Sequence, residues 1–134
     1  SKPRIPRTGN RMKRKNSTLV LQSMTADETD LHALNRSGVE NEDVFFRLVL
    51  TVGMDGERGG NYFYTTLATP ESLRKHCHGY VLAANRTLVV SHFDLPLLTA
   101  HLQDIVRSRS RDSWAESCEA LTRYFDWEFE DYRN

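Results

Sequence analysis

The C-terminal segment constrains the fold most, because residues 123–133 (RYFDWEFEDYR) contain five aromatic rings and four carboxylates. From Trp127 to Glu130, rings and acids alternate. In an extended strand, such alternation places the rings of Trp127 and Phe129 on one side and the intervening carboxylates on the other. Burial stabilises a side chain of this size by about 1.5–3 kcal/mol. The ring side is therefore predicted to pack on a hydrophobic core, while the acidic side faces solvent.

Two interpretations of this segment are open. In the first, the rings close the fold at its C-terminal end and the carboxylates have no further role. In the second, the carboxylates also present an acidic surface to a partner molecule. Both interpretations agree with the alternation of rings and acids.

The remaining composition is that of a single folded domain. With 134 residues, of which 39% are hydrophobic, the chain is long enough to bury a core. No apolar run approaches the ~18–20 residues of a membrane span, and no charged-then-apolar signal peptide opens the chain. Its two cysteines, Cys77 and Cys118, lack the spacing of a disulfide framework or a CxxC motif. We therefore expect reduced thiols in a cytoplasmic protein with no membrane association.

A net charge of zero conceals two differently charged parts. Residues 1–15 contain seven cations and no acid, so the remaining chain, with eleven cations and 18 acids, has a net charge of −7. Residues 1–16 also lack apolar periodicity, which is typical of a flexible arm. Residues 17–134 are predicted to form the folded domain. The arm is either a segment that binds nucleic acid or a partner, or sequence that lies upstream of a start at Met12.

Four segments have the composition and alternation of strands. Residues 44–54 are the clearest, because every second residue from Phe46 to Val52 is large and apolar. The glycines of residues 55–60 (DGERGG) supply positive φ, so this loop is predicted to close a hairpin with the next strand. The predicted strands are residues 18–25, 44–54, 61–68 and 86–93.

Three segments have helix start signals. Thr69 is a hydroxyl cap before Pro70, and Asp94 precedes apolar residues at helical spacing. Ser113 and Glu116 have the spacing of a capping box ahead of a further apolar stripe. Strands followed by amphipathic helices predict the α+β class. We expect an antiparallel sheet of about four strands with two to three helices packed mainly on one face.

No group of residues has the pattern of a catalytic or metal site. His76, Cys77 and His78 come nearest, but structural zinc requires four ligands at suitable spacing, which this group lacks. Cys118 lies on the apolar stripe of its helix and is predicted to be a core residue rather than a nucleophile. No P-loop, Rossmann, G-x-S-x-G or HExxH motif occurs. The sequence therefore predicts a protein that is not an enzyme and requires no metal or cofactor.

Nucleic-acid binding is an alternative to protein binding. The rings of residues 62–64 (YFY) would stack bases if they lay on an open sheet, and the basic arm would supply cations. Against this, the rest of the chain has a net charge of −7, which repels phosphate. One face of that strand is also needed for the core. A nucleic-acid-binding function would therefore depend on residues 1–15.

The C-terminal segment resembles the ending of the Immunity protein 8 family of bacterial polymorphic toxin systems, whose members finish on a motif like RY..WEFEDY. Residues 44–54 look like the central strand of that family, and residues 56–60 match its glycine-rich turn. Residues 62–73 (YFYTTLATPESL) look like its F.f.v.tP..L block, and residues 113–116 (SWAE) look like its sWe helix start. The resemblance covers about residues 18–133, and the terminal motif is its most specific part.

This resemblance implies a cytoplasmic immunity protein that binds and blocks a cognate toxin domain of a polymorphic toxin or contact-dependent competition system. Toxins that attack nucleic acids offer cationic sites, toward which an acidic inhibitor would be steered. The hypothesis is that an acidic rim, formed by the C-terminal carboxylates and a second cluster before residue 44, contacts the toxin. The predicted residues of this acidic rim are Glu40, Glu42, Asp43, Glu128, Glu130, Asp131 and Tyr132.

Overall fold

The computed structural model of the chain describes residues 18–37, 41–77, 80–83 and 86–129. The predicted basic arm, residues 1–16, lies outside them. The described residues form five strands and four helices. In chain order these are β1 (Leu19–Ala26), α1 (Leu31–Ser37), β2 (Phe45–Met54), β3 (Asn61–Ala68), α2 (Pro70–His76), β4 (Thr87–Val89), α3 (Leu95–Ser108), α4 (Trp114–Leu121) and β5 (Asp126–Trp127).

The strands form one sheet in the order β1-β2-β3-β4, with β5 also paired to β3. β2 is antiparallel to both β1 and β3, and β5 is antiparallel to β3, whereas β4 runs parallel to β3. A parallel neighbour requires a crossover connection, and α2 lies in that connection. β4 and β5 divide the outer edge of β3, because β4 pairs with residues 66–68 and β5 pairs with Phe63 and Tyr64. The predicted α+β class is confirmed.

One face of the sheet forms the core together with the helices. Leu48, Leu50 and Val52 of the predicted inner face of β2 are fully buried. Phe63 stands opposite Leu50 in β3 and is also fully buried. The helical side of the core includes Leu98, Leu102 and Val106 of α3, Cys118 and Leu121 of α4, and Phe125. The opposite face of the sheet carries more exposed side chains, among them Tyr62.

The three predicted helix caps are confirmed, because each side chain accepts a hydrogen bond from a main-chain N–H in the first turn. The cap bonds join Thr69 Oγ1 to the N–H of Ser72 (3.4 Å), Asp94 Oδ1 to that of Leu97 (3.1 Å), and Ser113 Oγ to that of Glu116 (3.1 Å).

Among the described residues, no helix combines the length and the apolar character needed to cross a membrane.

The β2–β3 loop is closed as predicted. Gly56 and Gly59 have φ values of +84° and +77°, which glycine adopts without the strain of a side chain. The side-chain amide of Gln22 on β1 donates a hydrogen bond to the carbonyl of Gly59 at 2.9 Å. Gly53 leaves room for that amide, since a Cβ there would lie 2.3 Å from it. The loop is therefore fastened to the neighbouring strand.

The outer edge of β1 is covered by side chains of α3 and of the segment after it. The amide of Gln103 accepts a hydrogen bond from the N–H of Leu21 and donates one to its carbonyl, each at 3.3 Å. Ser110 Oγ accepts a hydrogen bond from the N–H of Leu19 at 2.9 Å. Edge strands otherwise present unpaired main-chain groups. Gln103 therefore bonds to β1 much as a neighbouring strand would.

Helix α1 was not predicted, because residues 31–37 have the composition of a polar loop. Asp30 caps it, its Oδ1 accepting a hydrogen bond from the N–H of Ala33 at 3.1 Å. Leu31 is buried and Leu34 packs against the core. Two leucines in seven residues are too few to show helical periodicity, so only packing against the rest of the protein reveals this helix.

Strand β4 is shorter than predicted, covering residues 87–89 of the expected 86–93. The N–H of Val90 still donates to the carbonyl of Ala68 at 2.9 Å, but that of Phe93 donates to the carbonyl of Asn41 at 2.6 Å. Phe93 is fully buried. The apolar end of the predicted strand therefore reflects the burial of Phe93 outside the sheet.

Candidate functional site

Strand β5 packs the aromatic side of the C-terminal segment on the core, as predicted for Trp127. Trp127 stands opposite Phe63, and the two rings lie 6.2 Å apart and nearly parallel. Phe129 packs edge-on against Trp127 at 6.0 Å but remains 37% exposed. These rings close the part of the β3 edge that β4 does not cover.

Glu128 continues the pairing of β5 with β3. Its N–H donates to the carbonyl of Tyr62 at 3.2 Å, and its carboxylate Oε1 accepts from the N–H of Tyr62 at 2.7 Å. The carboxylate therefore has a main-chain partner on β3, and its binding of a toxin stays a prediction. Glu130, Asp131 and Tyr132 lie outside the described residues.

The second predicted acidic cluster lies directly before β2. Asp43 forms an ion pair with Lys75 of α2. Glu42 is exposed, whereas Asp43 is partly buried. Glu40 lies outside the described residues. Glu42 is therefore the described residue of this cluster whose charge is presented most directly to solvent.

The two clusters of the predicted rim lie at opposite ends of β3. Phe45, two residues after Asp43, pairs with Ala68 at the end of β3, whereas Glu128 bonds to Tyr62 near its beginning. Tyr62 and Ala68 are six residues apart, which corresponds to roughly 20 Å at about 3.4 Å per residue of strand. The described residues of the predicted acidic rim therefore do not form one continuous patch.

Acidic side chains that the sequence did not single out lie at the same end of the sheet as Glu42. Because β1 and β2 are antiparallel, the loop after β1 lies at the same end of the sheet as the residues before β2. Arg47 of β2 is 3.8 Å from Asp27 of that loop. A prediction that β1 and β2 are antiparallel neighbours would have placed these acidic residues at one end of the sheet. We call this set the acidic end: Asp27, Glu28, Asp30, Glu42 and Asp43.

Asp30 is the member of the acidic end with a shifted pKa. The hydrogen bond from the N–H of Ala33 holds the pKa of this carboxyl below its ordinary value. The N–H of His32 and the positive charge of Arg36 act in the same direction. The charge at the start of α1 therefore persists to a lower pH than that of an isolated aspartate.

The cysteines differ in reactivity. Cys118 is fully buried among core residues, as predicted, and burial raises the pKa of its thiol to about 12. A thiol with such a pKa stays protonated at neutral pH and is a poor nucleophile. Cys77 is free and exposed. Only Cys77 is therefore accessible to solvent-borne reagents.

His76 of the histidine-rich segment makes structural contacts. The ring of His76 stacks on Phe45 with centroids 3.8 Å apart, and its Nδ1 lies 2.8 Å from the carbonyl of Ser72. His78 lies outside the described residues. Within the described ranges, no three His, Cys, Asp or Glu side chains are grouped as metal ligands.

Comparison with known protein families identifies the family of the chain. The model of the family described as Immunity protein 8 matches residues 19–132, a range that begins with β1 and extends past β5. The chain belongs to the Immunity protein 8 family. No curated protein and no solved structure matches this chain.

Membership of the Immunity protein 8 family makes a toxin the implied class of partner and suggests an inhibitor rather than an enzyme. The match includes both the acidic end and the C-terminal segment. In that segment, Trp127 packs on Phe63 of β3, and Glu128 accepts a hydrogen bond from Tyr62 of the same strand. The terminal motif that most resembles the family therefore contributes to closing the fold.

Proposed function

We propose that this Immunity protein 8 family member binds a cognate bacterial toxin domain in the cytoplasm and neutralises it by direct association. The observation that carries the proposal is the family match over residues 19–132. The toxin would belong to a polymorphic toxin or contact-dependent competition system. Inhibition by association requires no catalytic residue, metal or cofactor in the immunity protein.

The negative charge of the acidic end supports the proposal that this end meets a cationic surface of the toxin. Cations of the chain offset two of its carboxylates, since Asp27 lies near Arg47 and Asp43 pairs with Lys75. Exposed acids nearby, Glu28 and Glu42, add negative charge at this end of the sheet. A field of this sign accelerates association with a cationic partner and weakens as salt is added.

The first test is co-expression of the chain with the toxin-like domain encoded beside its gene. The expected result is restored growth of cells that express the toxin, with co-elution of the two proteins as a stable complex in size-exclusion chromatography. Absence of both growth rescue and a complex would contradict the proposal.

The second test measures how much the acidic end contributes to the rate of association with the toxin. Glu42→Lys should slow association by about tenfold at low salt and reduce its salt dependence. The matched control is Glu57→Lys, which changes the net charge equally in the β2–β3 loop at the other end of the sheet. Equal effects of the two variants would mean that net charge acts rather than this surface. Glu128 is unsuited to the test, because its substitution also removes a hydrogen bond to β3.

A further inference from the structure

An apolar groove of about 340 Å³ lies between β4, with the residues after it, and one side of α3. Leu88 of β4 and Leu97 of α3 line it from the two sides, and Leu97 is 51% exposed. Val90 and Ile105 line it as well and are packed against the core. Clustered apolar side chains that remain exposed are characteristic of interaction sites. We call this feature the β4 groove.

Strand β4 also has an unoccupied edge beside the groove. It pairs with β3 on one side, and no strand in the described part of the chain pairs with its other side. The corresponding edge of β1 is covered by Gln103 and Ser110. An open edge offers main-chain donors and acceptors to an added strand, while adjacent pockets select its side chains.

The charges around the β4 groove indicate what kind of segment fits it. The N–H of Phe93 donates to the carbonyl of Asn41, which places the residues after β4 beside those before β2. The residues after β4 therefore lie beside the segment that contains Glu42, and Asp94 lines the groove together with His92 and His101. An apolar segment flanked by basic residues complements these surroundings.

We propose that the β4 groove binds an extended segment of the toxin that carries apolar side chains and flanking Lys or Arg residues, and that this segment adds to β4 as a further strand. The inference rests on the proposed function and names the surface through which the toxin is held. The acidic end guides the encounter, and the β4 groove supplies the apolar anchor of the complex.

A second copy of this chain is the alternative occupant of the β4 groove. The oligomeric state of the free protein distinguishes that occupant from a segment of the toxin.

The test measures binding of the neighbouring toxin domain by single-residue variants. Leu88→Lys and Leu97→Lys each place a charge in the β4 groove and should raise Kd by about 30-fold or more. Tyr62→Lys is the matched control, because Tyr62 is 49% exposed on the opposite face of the sheet. It should leave Kd within about threefold of wild type. Circular dichroism verifies that each variant is folded, and the two groove positions lie on different elements, so that one remains informative if the other unfolds.

Hydrogen exchange gives an independent readout of strand addition. The main-chain amides of residues 87–91 should exchange more slowly in the complex, whereas the covered residues 19–21 of β1 should not change. Unchanged exchange at residues 87–91 would overturn the added strand.

The remaining outcomes separate this inference from the proposed function. Tight binding by both groove variants would overturn the inference and leave the immunity function intact. Loss of binding in Tyr62→Lys alone would move the contact to the open face of the sheet and overturn the inference. A free dimer that either groove variant converts to a monomer would make a second copy the occupant. If the wild-type chain forms no complex with the toxin, both the proposed function and the inference fail.

Discussion

The two outer strands of the sheet, β1 and β4, meet their surroundings in opposite ways. Gln103 donates to and accepts from the main chain of Leu21, so the edge of β1 is bonded within the protein. Along β4, the same helix α3 presents Leu97 and Ile105, which cannot bond to a main chain. One helix thus closes one edge of the sheet and leaves the other beside an apolar groove.

This difference shows that neighbouring side chains, as well as strand order, determine whether the main-chain groups at a strand edge are hydrogen-bonded within the protein. A primary amide has both a donor and an acceptor, and can therefore replace a neighbouring strand at one residue. Apolar side chains leave the main-chain groups to water or to a partner strand. In the described part of the chain, the edge of β4 is therefore available to an added strand, whereas that of β1 is already bonded.

The largest expected effect concerns β5, which closes the part of the β3 edge beside β4. Trp127→Ala should lower the free energy of unfolding by about 3 kcal/mol, because it removes a ring that packs on the buried Phe63. Urea unfolding followed by circular dichroism measures the loss. Trp127→Phe is the control and should retain most of the stability. Wild-type stability of the alanine variant would show that β5 does not close this edge.

A smaller effect is expected at the edge of β1. Gln103→Ala leaves the N–H and carbonyl of Leu21 without their side-chain partner and should cost about 1–3 kcal/mol. Asp104→Ala, at an exposed position on the same helix, should change stability by less than about 0.5 kcal/mol. Urea unfolding of both variants tests the comparison directly. Equal stabilities would mean that water serves the edge of β1 as well as Gln103 does.

The smallest effect concerns α1, which supports the start of α3 near the β4 groove through a hydrogen bond from the N–H of Leu95 to Asn35 Oδ1 at 2.9 Å. Asp30 caps α1 and has a lowered pKa, so its contribution is present above its ordinary pKa of 3.8 and is lost as the pH falls through the folded value. Asn also caps helices but does not titrate. Between about pH 5 and about pH 3, Asp30→Asn should therefore lose less thermal stability than wild type. Parallel pH profiles of Tm would exclude this role for Asp30.

Much of the fold follows from signals within a few residues of sequence. The bounds of β3 agree with the predicted residues 61–68, and the caps at Thr69, Asp94 and Ser113 form as predicted. The predicted aromatic side of the terminal segment does face the core at Trp127. Each of these features depends on alternation, periodicity or a capping spacing that the local sequence contains.

The candidate site was predicted less completely. The acidic residues before β2 and at the C-terminal end were predicted to form one rim. The sequence does not show that roughly 20 Å of strand separates them. Asp27 and Glu28 join Glu42 only because β1 and β2 are antiparallel neighbours. The bond between Glu128 and Tyr62 likewise joins residues that are distant in sequence.

The sequence by itself determined the α+β class, the positions of most strands and helices, and the resemblance to the Immunity protein 8 family. The tertiary structure decided the parallel pairing of β4, the existence of α1, and which strand edge is covered and which is open. The physical reason is the range of the interactions. Alternation and caps act between near neighbours in the chain, whereas the contact of Gln103 with β1 and the groove between β4 and α3 arise only when distant segments pack together.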